Sequence, residues 1–189
     1  MNKKITAVVA VLLVFSSACS TAETNESETF ESLLSLVETG EAKLESGIAM
    51  YSPAAESFLR CLDGGVFCEN QRAKAEKQLD MTRALFDFQK LQSELFALRL
   101  TENKDANQAR DAYVRHLRAW AENIQELRGS MPTADEISRQ DFSFSQTWTQ
   151  ILEADEIRST FDEVCGALGN AQPAGSDEFS ARIIDICDD

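Results

Sequence analysis

The sequence predicts an all-α fold: an antiparallel helical bundle built on a long central helical hairpin and stabilised by disulfides. Three observations carry this expectation. Apolar residues recur at intervals of three and four along most of the chain, no stretch alternates long enough to make a convincing strand, and four cysteines follow residue 60. The 189 residues suit one domain, and 43% hydrophobic with 26% charged residues supply enough apolar surface for a core.

Residues 1–18 read as an export signal outside the fold. Asn2, Lys3 and Lys4 make a positive start, Ile5 to Phe15 an uncharged apolar run, and Ser16, Ser17 and Ala18 a small-residue exit. The run is shorter than the roughly 20 residues of a membrane-spanning helix. The segment Phe15-Ser16-Ser17-Ala18-Cys19-Ser20 resembles the lipobox of bacterial lipoproteins, with Ser16 where that class usually has Leu. The resemblance implies a diacylglyceryl group on Cys19, Cys19 as mature N-terminus, and a membrane anchor facing the periplasm or the cell exterior. With Ser20 rather than Asp next, it implies the outer membrane where the host has one. Ordinary cleavage after Ser16-Ser17-Ala18 or Ser20-Thr21-Ala22 would instead release a soluble secreted protein. Residues 19–28 are expected to be the lipidated cysteine and a flexible polar tether, and 29–189 an acidic helical domain.

Within the domain, Phe30, Leu33, Leu34, Val37, Leu44, Ile48 and Tyr51 keep helical spacing, weakened by Gly40 and Gly47. Ser52-Pro53 is expected to restart a short helix through Leu59, ended by Asp63-Gly64-Gly65. The stretch from Asn70 to about Leu100 holds no Gly or Pro and reads as one long helix. After the polar break from Thr101 to Asp105, a second long helix carries Ala106, Ala109, Tyr113, Leu117, Trp120, Ile124 and Leu127, and the short connection makes the two an antiparallel hairpin. Pro132 lies in the stop, and Thr133 with Glu136 forms a capping box. Ile157, Phe161, Val164 and Leu168 mark another helix. Gly169 to Gly175 reads as a loop, and Ser176 caps a last helix with Phe179, Ile183, Ile184 and Ile186.

Charge is uneven. Residues 19–70 carry 2 basic and 10 acidic side chains, 71–132 carry 11 and 9, and 133–189 carry 3 and 13. Such a surface argues against nucleic acid and against lying on anionic lipid, both of which need clustered Lys and Arg. Arg110, Arg115 and Arg118 are interleaved with Asp111 and Glu122 and read as surface pairs.

Cys61, Cys68, Cys165 and Cys187 form an even set, as two disulfides in an oxidising compartment require. Cys61 with Cys68 is favoured by the paired glycines between them, leaving Cys165 with Cys187. A simple hairpin of the last two helices would put Cys187 roughly 15 Å along from a turn near Cys165, so the crossed pairings stay open. Neither a C-x-x-C redox motif nor a zinc-ligand set is present, and no cofactor is expected.

His116 is the only histidine and reads as a helix-packing or partly exposed imidazole between Tyr113 and Trp120, near the edge of an apolar stripe. A catalytic triad, a His-rich metal centre and a di-iron Glu-x-x-His pair are hard to build around it, and no phosphate, nucleotide or calcium loop motif appears. Glu153, Asp155 and Glu156, or Asp185, Asp188 and Asp189, could gather a cation, but such runs are ordinarily solvated, so no metal site is expected. The functional expectation is a lipid-anchored envelope module of interaction or binding, without enzymatic activity, partnered by a membrane through its lipid and by another protein. The alternative is a bundle binding a small ligand among Tyr113, Trp120, Phe86 and Phe96. A hydrolase using two carboxylates comes third, on the abundance of Asp and Glu alone.

Overall fold

The computed structural model describes residues 17–64, 68–85, 87–98, 100, 103–139, 144, 146 and 154–188, with the backbone alone at 17–25 and Leu85. Among these residues there is no strand. The helices are α1 (Ser17–Asp63), α2 (Glu69–Leu85), α3 (Phe88–Ala97), α4 (Lys104–Gly129), α5 (Ala134–Arg139), α6 (Asp155–Ala171) and α7 (Asp177–Cys187). An all-α, disulfide-stabilised bundle is therefore what the chain forms.

Two extensive packings organise it, α1 on α2 and α4 on α6. Thr82 meets Gly47 while Cys68 is bonded to Cys61, so the first pair runs antiparallel. The second does too: Arg115 pairs with Glu163, and His116, one step on, meets Thr160, three steps back. Leu33, Leu34 and Phe58 of α1, Leu79 of α2, Leu117 of α4 and Leu168 of α6 are fully buried in one cluster. Burying each such side chain contributes about 1.5–3 kcal/mol.

Several expectations are corrected. Ser52-Pro53 does not restart a helix, because α1 runs through it. Pro53 has no amide to give the Ala49 carbonyl, and its ring is exposed; the Ser52 hydroxyl donates to the Ile48 carbonyl at 2.9 Å. Tyr51, Ala54, Ala55 and Phe58 are all buried around it, which offsets the roughly 3 kcal/mol that an interior proline costs. Conversely, the stretch expected as one helix to Leu100 is two. Asp87 caps α3, its carboxylate accepting the Lys90 amide at 3.0 Å, a start signal hidden in a run without Gly or Pro. The 70–100 and 106–127 stretches touch, but α2 packs mainly on α1 and α4 mainly on α6. Helix α1 also takes in residues 19–28, expected as a tether. That stretch holds neither Gly nor Pro to end a helix that Phe30, Leu33 and Leu34 seat on the core. Finally, α6 continues through Gly169 to Ala171.

The caps read from sequence are made. Thr133 Oγ1 accepts the Glu136 amide at 3.3 Å and Glu136 accepts the Thr133 amide at 2.8 Å. The Thr133 amide, and then its hydroxyl, which donates to the same carboxylate at 2.7 Å, hold the Glu136 carboxyl below its usual range. Ser176 caps α7 through the Phe179 amide at 3.4 Å, after Gly175 turns the chain with φ +80°. Asn103, unread in the polar break, caps α4 by accepting the Asp105 and Ala106 amides at 3.0 and 3.1 Å.

Both favoured disulfides are formed, with Cα separations of 5.7 Å for Cys61–Cys68 and 5.9 Å for Cys165–Cys187. The geometric objection to the second fails because the turn does not lie near Cys165. It lies beyond Ala171, about 9 Å further along α6, so Cys187 returns to the level of Cys165.

Arg182 fastens α7 to α1. Its Nε and Nη2 donate to the two Glu38 oxygens at 2.7 Å each, and Nη1 donates to both Glu31 oxygens at 2.7 and 2.6 Å. The bonds to Glu38, then to Glu31, push the guanidinium further above its ordinary range. Arg182→Ala is expected to lower stability by about 1–2 kcal/mol, and Arg182→Lys to recover less than half, because an ammonium cannot fork to both carboxylates. Urea denaturation at low and high salt checks this; a loss unchanged by salt would contradict an electrostatic clamp.

Candidate functional site

The polar group that stands out is built from three helices. Glu41 lies on the inward stripe of α1, between Val37 and Leu44, both buried. Tyr113 and His116 are on α4, buried to 0% and 1% exposure, and Thr160 is on α6. Gly40 lets these helices close, since a Cβ there would overlap the Tyr113 hydroxyl. That hydroxyl donates to the Val37 carbonyl at 3.2 Å. Burial, and then the neighbouring Glu41 carboxylate, push the Tyr113 phenol well above its ordinary range, so it stays a neutral donor.

His116 sits among rings, with Phe161 5.1 Å away, Tyr113 6.2 Å and Trp120 6.5 Å between centroids. Its Nδ1 is 3.1 Å from Thr160 Oγ1. Its Nε2 faces Glu41 Oε2 at 3.7 Å, too far for a hydrogen bond. Nε2 and Glu41 Oε1 are both buried without a hydrogen-bond partner among the described residues. The two residues line, with Trp120, Ala154, Ile157, Arg158 and Phe161, a cavity of about 230 Å³.

Of the expected ligand-binding aromatics, Trp120 lines this cavity and Tyr113 lies buried beside it. Phe96 is elsewhere, 55% exposed beneath the Arg110 guanidinium at 5.4 Å, and Phe86 lies outside the described residues. His116 is fully buried, the packing alternative and not the partly exposed one, with one ring nitrogen lacking a partner among the described residues. Asp155 and Glu156 are exposed in the first turn of α6, and Asp185 and Asp188 are exposed in and after α7; Glu153 and Asp189 lie outside the described residues. No group of three or more His, Cys, Asp or Glu among the described residues could hold a metal ion. Asp111 pairs with Arg110 at 2.8 Å, while Arg115 reaches across to Glu163 at 2.8 Å because it stands on the side of α4 facing α6. The Cys19 side chain and the leader lie outside what the structure describes.

No family model, curated protein or solved structure matches this chain. Chemically, the site sets an imidazole beside a carboxylate. In a nucleophilic triad, Nε2 would face a hydroxyl or thiol; here it faces a carboxylate, and no described group hydrogen-bonds it.

Proposed function

We propose that this protein is a helical binding module of the cell envelope, exported, held to a membrane by lipid on Cys19, and using the cavity between α1, α4 and α6 to hold a small ligand. The observation that supports the binding is an aromatic-lined cavity whose residues His116 and Glu41 each keep one buried polar atom, Nε2 and Oε1, without a hydrogen-bond partner among the described residues. Leaving such atoms unsatisfied costs about 1–3 kcal/mol each, and a polar ligand group that a side-chain movement admits to them recovers that cost. At about 230 Å³ the space suits a molecule smaller than the drug-sized ligands of larger pockets.

Export is supported by the two disulfides, which belong to an oxidising compartment. The lipid is supported by the lipobox resemblance around Cys19. No described helix is long and apolar enough to cross a membrane. Two masses of protein extracted in detergent from its own cells test the proposal. The denatured mass is expected to correspond to a chain starting at Cys19 with acyl groups, and the native mass to exceed it by a small molecule. A start after Ala22 without lipid would remove the anchor, and equal native and denatured masses would remove the ligand.

A further inference from the structure

We infer that α1 is a rigid stalk as well as a core helix, standing the bundle end-on to a lipid surface with the α3–α4 and α6–α7 connections toward the bilayer. The inference rests on the lipid at Cys19 proposed above and adds what that anchor does to the domain. It begins with the continuity of α1. One helix runs from Ser17 to Asp63, so the backbone leaving the lipid at Cys19 is already the helix that carries Phe30, Leu33 and Leu34 into the core. Neither Gly nor Pro stands between Cys19 and Phe30. Turns added to a packed helix need only propagate it, without the unfavourable nucleation of an isolated one. No helix-breaking residue therefore separates anchor from bundle.

Contacts along α1 then set the height of each part. Glu26, Thr29 and Phe30 share a surface recess with Asn103 and Asp105 at the start of α4 and with Pro173 and Ala174 after α6. This end lies about 10–17 Å along the axis from Cys19. The cavity beside His116 is level with Glu41, 22 residues beyond Cys19 and about 33 Å from it. Farthest, at about 60 Å, is the Cys61–Cys68 hairpin, near which Arg72 Nε donates to the Pro132 carbonyl at 2.8 Å.

No described flank favours lying flat. Along α6 and α7 the exposed acids Asp155, Glu156, Asp162, Glu163, Asp177 and Glu178 would meet headgroup phosphates. Residues 71–132 mix 11 basic with 9 acidic side chains and lack the basic cluster that a phosphate surface needs. The exposed large apolar residues among those described, Met81, Phe96 and Ile184, sit one each on α2, α3 and α7, as single apolar residues do on ordinary solvated surfaces. Held upright, the cavity takes its ligand from water and not from the bilayer.

With the Cys19 thiol acylated and the other four cysteines paired, an introduced cysteine is the one free thiol for a dye. The full chain, extracted with its lipid, is placed in phosphatidylcholine vesicles bearing an acceptor dye on a few headgroups. It is labelled in turn through Ala174→Cys, Ser159→Cys and Ala134→Cys, exposed positions at the near end, the cavity level and the far end. Energy transfer to the headgroups is expected to fall in that order, by at least about twofold from the first to the last. Replacing Thr24, Asn25 and Glu26 together by glycine, ahead of the first core residue, is expected to raise transfer from position 134 at least about twofold, as a flexible joint lets the far end dip.

Equal transfer from the three positions, or a reversed order, overturns the inference and leaves the anchor standing. So does a glycine variant that transfers like the unaltered chain, because the joint was then loose already. A chain that fails to join the vesicles overturns the inference and the lipid reading together.

Discussion

Replacing Cys165 and Cys187 together by alanine is expected to lower the unfolding free energy by about 3 kcal/mol, the entropy that a closed loop of this size withholds from the unfolded chain. The bond joins residues 22 apart and holds the last turn of α7 against α6. The closure is more than twice as long as the 7-residue separation of Cys61 and Cys68. Both cysteines of the longer closure are only partly buried, so the substitution loses little packing and reads mainly as loss of the crosslink. The loss should also be local. Amides of α7 C-terminal to Arg182 should exchange faster with solvent, while those N-terminal to it stay protected by the arginine clamp and by the edge-on contact of Phe179 with Phe30 at 5.2 Å. Urea denaturation with hydrogen exchange on the same samples measures both. Uniform loss of protection along α7 would mean that the crosslink, and not Arg182, holds the helix down.

Gly40→Ala should destabilise by about 2 kcal/mol, although alanine in a helix ordinarily gains about 1 kcal/mol over glycine. The new methyl would overlap the hydroxyl of Tyr113, which is fully buried and hydrogen-bonded to Val37, so relief requires moving α4 or giving up that bond. Removing the hydroxyl provides the control: in a Tyr113→Phe background the same Gly40→Ala change should cost less than half as much. Gly166 in α6 supplies the opposite case. Nothing lies within 4 Å of a Cβ there, so Gly166→Ala should stabilise by up to about 1 kcal/mol. Thermal and urea melts of the four variants suffice. Destabilisation at both glycines would point to a backbone effect rather than to contact with Tyr113.

These glycines also mark where the sequence was legible. Spacing of Leu, Phe and Ile located most helices, because that signal is local and repeats every turn. Capping at Thr133 and Ser176 was readable for the same reason, and the cysteine pairs followed from the loop glycines and elimination. Pro53 inside α1 was not readable, since burial of Phe58 and its neighbours decides the matter and burial is tertiary. Nor was the pairing of α1 with α2 and of α4 with α6, which apolar stripes of similar width leave undetermined. The site was half visible. His116 could be singled out as the lone histidine, but Glu41 was one of many acidic residues. A clue did exist: Glu41 sits four residues after Val37 and three before Leu44, a carboxylate inside an apolar stripe. A carboxyl group set inside an apolar stripe by its own spacing is a better pointer than the runs of acids at the ends.

Helix α7 has a consequence for how the cavity works. It is joined to α1 through Glu31 and Glu38, the latter about one turn from Glu41, and to α6 through Cys165, little more than one turn from Thr160. It therefore straps together two of the three walls close to Glu41 and Thr160 themselves. Those walls cannot swing apart without breaking a covalent bond or a doubly forked ion pair, so a molecule that enters the cavity would do so through its open side and not by parting α1 from α6. Association would then be set by diffusion and desolvation rather than by a gating motion, and selectivity by a width fixed before the ligand arrives.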